Sequence, residues 1–253
     1  MEALLREIPI LPAVRVLATA TSFPLLAGPG APRNVRLVVA LALAFVVVPA
    51  SALVMTDRPP SPMATVLLMP FEIVIGLAIG FFFSLLFHLL GIAGDFLGQE
   101  MGLNSSSQLD PTTGRSVPLL ARLFEAIGLI LFVELGGLEI MLRSIQWSFE
   151  AVPPGAMIQP DQLAGTLATA SLDVIGRGIG IALPGAILLL VLTMFTTIAA
   201  RVLPKLHIFD FAFALRMLAA IVLVSLILPR LVPAVREYAV HLNDTLRVAL
   251  VAR

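Results

Sequence analysis

Residues 64–93 form an apolar run interrupted by only two ionisable side chains, Glu72 and His88. About 20 apolar residues suffice for a helix to cross the hydrocarbon of a bilayer. A helix that is apolar all round must lie in a large core or in a membrane. Further apolar runs near residues 8–27, 37–55, 119–142, 179–200 and 211–235 bring the candidate spans to six. Composition decides between core and membrane. The chain is 59% hydrophobic and 13% charged, against about 25% charged for a soluble domain. The expected fold is an all-α polytopic membrane protein with about six apolar helical segments. The Pro-rich turn "TDRPPSPM" (56–63) and the polar connection "SFEAVPPGAMIQPDQLAG" (148–165) punctuate it. The N-terminal stretch has acidic residues in its first turns and no basic leader, so it reads as a retained first helix.

Arg15, Glu72, Arg122, Glu125, Glu134, Glu139 and Arg216 lie inside or at the edges of these runs, and Arg201 closes the fifth. An ionisable group in hydrocarbon costs at least a few kcal/mol, so such groups face protein or a wet cavity, or snorkel from a helix end. Glu72, Glu134 and Arg201 are expected to be buried charges, and much of the surface is expected to be covered by other protein.

Gly76, Gly80, Gly91, Gly94, Gly98 and Gly102 are separated by 4, 11, 3, 4 and 4 residues. On one helix, at about 100° per residue, they share a stripe roughly 80° wide. Bare backbone lets another helix approach closely. The six are expected to be a helix-packing face. Residues 236–253 read as an amphipathic tail, with Val235, Ala239, Leu242, Leu246 and Leu250 opposite Glu237, His241, Asp244 and Arg247. That tail could lie on the membrane or dock on a partner.

Between two apolar segments stands "GQEMGLNSSSQLDPTTGRSVP" (98–118), the long polar stretch in the middle of the chain. Asp110 and Pro111 favour a fixed turn, and Gly98, Gly102 and Gly114 supply hinges. Such a loop belongs in water, not lipid.

The remaining patterns exclude several classes. Sixteen basic and sixteen acidic residues balance, which gives no footprint for nucleic acid, and there is no cysteine for disulfides or thiolate sites. The motifs of zinc peptidases, serine hydrolases and P-loop NTPases are missing. His88, His207 and His241 are far apart. The chain is expected to be non-catalytic, with no metal and no cofactor. Two classes remain, a subunit of a protein-conducting assembly and a proton-coupled small-solute transporter. The latter draws on the Gly/Pro-interrupted "RGIGIALPG" (177–185).

Four stretches, "FEIVIGLAIGF" (71–81), "GIAGDFLGQEMGLNSSSQLDPTTG" (91–114), "LRSIQWSFEAVPPG" (142–155) and "ARVLPKLHIFDFAFALRM" (200–217), resemble the flagellar biosynthetic protein FliR family. Through it the chain resembles the T-type subunits of virulence injectisomes. It departs from the family at Lys205 and His207, at Ala212-Phe213-Ala214 and at "ELGGLEI" (134–140). The resemblance implies a subunit of the type III export gate in the bacterial inner membrane and the flagellar basal body. Its implied partners are P-type and Q-type gate subunits, an FlhB-type switch protein, membrane lipid and the unfolded proteins exported. It implies helical hairpins within a helical pore-forming assembly. A P-like part spans 1–142, a Q-like part 143–235 and the tail 236–253. The loop near 104–117 is the implied plug, with Asn104, Ser105, Ser106, Ser107, Gln108, Asp110, Pro111 and Gly114 as gate residues. An injectisome counterpart is the alternative reading.

Overall fold

A computed structural model describes residues 10–23, 33–51, 61–102, 118–156, 160–202 and 208–251. Seven helices and no strand occur among them: α1 (Ile10–Ser22), α2 (Arg33–Ser51), α3 (Pro62–Glu100), α4 (Leu119–Glu134), α5 (Gly137–Ala151), α6 (Pro160–Val202) and α7 (Ile208–Val251). Among the described residues two helices, α3 and α6, are long and apolar enough to cross a membrane. The expected count of six spans is not confirmed on that criterion, and the described residues are helical apart from short turns.

Local chemistry sets the helix limits. Ser61 caps α3, its Oγ accepting the Ala64 N–H at 3.3 Å. Pro62 follows at the first helical position, where its missing N–H leaves no bond unmade. Pro70, Pro184, Pro229 and Pro233 lie inside helices. The run 119–142, expected as one span, is two helices. Gly136 adopts φ +75° between α4 and α5, and its N–H reaches back to the Val133 carbonyl at 3.1 Å. The tail is no separate helix either. It continues α7, and Tyr238, Ala239, Leu246 and Leu250 are buried in the chain itself. Arg247 stacks over Trp147 at 5.3 Å from the ring centroid.

The chain divides into two compact units, 1–85 with 132–171 and 238–253, and 86–131 with 172–237. In the first, α1 packs on α2, and α2 meets α5. Phe132 lies 5.8 Å from Phe23 and 6.2 Å from Phe83, ring to ring. In the second, Gly94 brings α3 against α4. A Cβ there would stand 2.6 Å from the Leu120 carbonyl oxygen. Gly178 seats α6 on α3, where a Cβ would be 2.8 Å from the Leu89 carbonyl oxygen.

Candidate functional site

Glu72, Gly76 and Gly80 recur every four residues on α3, so they share one face. That face meets α1. A side chain at Gly76 would collide with the Arg15 carbonyl oxygen and with Ala18, and one at Gly80 with Ser22 and the Thr19 carbonyl. Because the two backbones come so close, Glu72, one turn from Gly76, reaches Arg15. Both side chains are fully buried.

Arg15 Nε donates to Glu72 Oε2 at 2.6 Å. Its Nη1 donates to the Ser148 carbonyl at 2.9 Å and to Ser148 Oγ at 3.3 Å, and the guanidinium lies 4.5 Å over the Phe149 ring. The second carboxylate oxygen, Glu72 Oε1, accepts the Gly155 N–H at 2.8 Å. Gly155 belongs to a type II turn, "PPGA" (153–156). Its φ is +86°, and the Ala156 N–H closes on the Pro153 carbonyl at 3.0 Å. This turn requires a residue tolerant of positive φ at its third position, with proline favoured at the second. One ion pair thus binds α1, α3, α5 and the turn after α5. Its atoms are committed inward, which makes it a clamp.

The other expected site residues fall in different places. Glu134 and Arg201 are exposed on the chain's own surface, so any burial of them needs a neighbouring molecule. Arg122, Glu125 and Glu139 are exposed too, with Glu139 bonded to Arg143 at 2.6 Å. Gly76 and Gly80 meet α1, whereas Gly91 and Gly94 meet α4. Gly98 is buried. Gly102 does not belong to the helical stripe. α3 ends at Glu100, and Gly102 sits in the following turn with φ +73°. The gate residues Asn104, Ser105, Ser106, Ser107, Gln108, Asp110, Pro111 and Gly114 lie outside the described residues.

Ser148, Phe149 and Gly155 were not among the site residues expected from sequence. Their signal was present in "LRSIQWSFEAVPPG", but nothing in that stretch says that its partner is Arg15, 133 residues before Ser148.

Among the described residues the architecture is all-helical, with a buried ion pair locking distant helices together and two helices long and apolar enough to cross a membrane. The chain belongs to the bacterial export proteins, family 1, whose pattern matches residues 8–241. Similar chains include the flagellar biosynthetic protein FliR of Escherichia coli strain K12, 29% identical over 88% of this chain and 84% of that protein. FliR of Pectobacterium carotovorum is 29% identical over 90% of this chain and 86% of its own. The surface presentation of antigens protein SpaR of Shigella sonnei is 27% identical over 60% of this chain and 59% of its own.

Proposed function

We propose that the chain is a structural, non-catalytic subunit of a flagellar type III protein export gate in the bacterial inner membrane. The family match over residues 8–241 carries this reading, together with relatives named for flagellar biosynthesis. The exposed apolar surface of α6 supports it. Leu183, Ile187, Leu188, Val191, Met194, Phe195 and Ile198 are uncovered by the chain, and such a surface calls for lipid or partner protein. The partners in this reading are P-type and Q-type gate subunits and an FlhB-type switch protein, joined by a P-like part (1–142) and a Q-like part (143–235).

Within that gate, residues 104–117 plug the pore. Their Ser, Asn, Gln and Thr side chains suit a wet lumen, where backbone polar groups find partners that lipid cannot offer. Deleting the loop should leave the helices folded, since a lumenal loop makes few apolar contacts. Cells carrying the full assembly should then leak ions and small solutes, and the deleted subunit expressed alone should not make them leak. An intact barrier in correctly assembled deletion mutants would place the gate elsewhere.

The second reading, an injectisome counterpart, draws on the match to SpaR. Co-purification separates the two, because flagellar P-type and Q-type subunits should be recovered in one case and injectisome subunits in the other.

A further inference from the structure

The part of α6 that belongs to the second unit sorts its residues by size as well as by polarity. Leu183, Ile187, Leu190, Val191, Met194 and Ile198 are exposed. At about 100° per residue, they and the exposed residues between them cover nearly half of the helix circumference. The small residues Ala182, Gly185, Ala186 and Thr196 are buried instead. A Cβ at Gly185 would lie 2.6 Å from Leu223 Cδ2 of α7 and 3.0 Å from Leu97 Cδ2 of α3. Helices that pack together in a membrane turn small residues toward the contact. On α6 the chain itself occupies that side, and the open side is built of large apolar residues. Thr197 is the one polar residue exposed between Leu183 and Ile198, and its hydroxyl donates to the Thr193 carbonyl at 2.7 Å. Thr193 and Thr196 donate to the Leu189 and Leu192 carbonyls at 2.8 and 3.0 Å. These hydroxyls are satisfied within the helix and need no donor or acceptor from another molecule.

The length of the face matches a bilayer. Residues 178–200 contain no ionisable side chain, and Arg177 and Arg201 close the stretch. As helix it rises roughly 35 Å, against about 30 Å for bilayer hydrocarbon. Arginine at such borders reaches the headgroups with its long side chain. α7 marks the first border independently. Gly185 meets Leu223, and Arg177 Nη1 lies 4.0 Å from Glu237 Oε1, so the two helices run antiparallel. Arg230 follows Leu223 by about two turns, as Arg177 precedes Gly185 by about two turns. Arg230 and Arg236 are exposed, which brings guanidinium groups of both helices to one level. Asp173 pairs with Arg177 there at 2.8 Å.

We propose that α6 meets lipid directly through this face. It crosses the hydrocarbon by residues 178–200, with headgroups at the levels of Arg177 and Arg201. The whole helix, 43 residues and roughly 65 Å long, is too long to lie in hydrocarbon throughout. Over the same levels α7 carries Arg216, so the lipid face is assigned to α6 alone. The assignment rests on the membrane setting of the reading above and not on the export role.

The chain has no cysteine, so a single introduced cysteine can carry a nitroxide without background. Gly176→Cys, Ile187→Cys, Val191→Cys, Phe195→Cys and Val202→Cys all fall at exposed positions. The full-length chain, purified with the subunits that accompany it, is placed in vesicles of phosphatidylcholine and phosphatidylglycerol. Collision of each label with oxygen, which dissolves in hydrocarbon, is compared with collision with a water-soluble nickel chelate. Oxygen should dominate at Ile187→Cys, Val191→Cys and Phe195→Cys, with its maximum at Val191→Cys, and give way to nickel at Gly176→Cys and Val202→Cys. Weak collision with both reagents at the three central sites would mean that partner helices cover the face. Strong nickel collision there would mean that water does. Either result overturns the proposal. The export reading fails separately, because an oxygen maximum at Val191→Cys without any co-purified gate subunit would remove that reading and uphold the lipid face.

Discussion

Arg15 Nε and Glu72 Oε2 meet at 2.6 Å with neither side chain reaching the surface, across 57 residues of sequence. Two charges taken out of water are costly, and the loss is repaid only where geometry and further hydrogen bonds are good. Glu72 spends its other oxygen on Gly155, and Arg15 spends Nη1 on Ser148. Arg15 Nη2 is buried with no hydrogen-bond partner. The clamp is thus worth more for fixing which helices meet than for net stability.

Removing one partner should hurt far more than removing both. Glu72→Gln or Arg15→Met leaves one buried charge uncompensated, which costs about 3–5 kcal/mol. The double variant Arg15→Met with Glu72→Leu should recover most of that loss. Unfolding midpoints of the detergent-solubilised chains measure it, and a double variant as unstable as the sum of the singles would contradict the clamp.

Gly94 of α3 and Gly176 of α6 should respond in opposite directions. Gly94→Ala forces the α3–α4 contact apart and should destabilise by about 1–3 kcal/mol. Gly176 has nothing within 4 Å of an added Cβ. There Gly176→Ala should gain roughly 0.5–1 kcal/mol from the helix itself. The same unfolding measurement reads both, and equal losses would mean that close approach is not what Gly94 supplies.

Gly155→Ala should loosen the turn that caps the clamp. Its φ of +86° is unfavourable for a side chain, and the new Cβ would crowd Leu68 Cδ1 at 3.2 Å. A loss of about 1–3 kcal/mol is expected from strain of this kind. Proteolysis within residues 153–160 should speed up in step. Unchanged cleavage and stability would show that the turn is held by other contacts.

Truncation after Glu237 should damage the first unit although it removes only the end of α7. Tyr238, Leu246 and Leu250 would be lost from its interior, and Trp147 would lose the Arg247 guanidinium. Trp147 is the single tryptophan of the chain, so its fluorescence reports the site directly. Emission should shift to the red in the truncated protein. An unshifted spectrum would mean that the tail does not cover α5.

The class of this protein was legible in its sequence because hydrocarbon compatibility is a local property. Runs such as 64–93 announce apolar helices wherever they fold, and the Pro-rich stretches "TDRPPSPM" and "SFEAVPPGAMIQPDQLAG" mark connections by their own backbone preferences. The glycines of α3 likewise signalled close packing at Gly76, Gly80, Gly91 and Gly94. What no local pattern encodes is the partner. Arg15, Glu72, Glu125 and Glu134 look alike in sequence, as ionisable groups in apolar surroundings. Only the close approach of α1 and α3 at Gly76 pairs the first two in a dry interior, while Glu125 lies along the α3–α4 seam and Glu134 on the surface. Gly136 likewise breaks a run that hydropathy reads as continuous, because hydropathy records burial and not backbone φ. The tail could as well have faced lipid or another protein. Its apolar stripe fixed that it must be covered, and the tertiary fold supplied the cover from the chain's own residues.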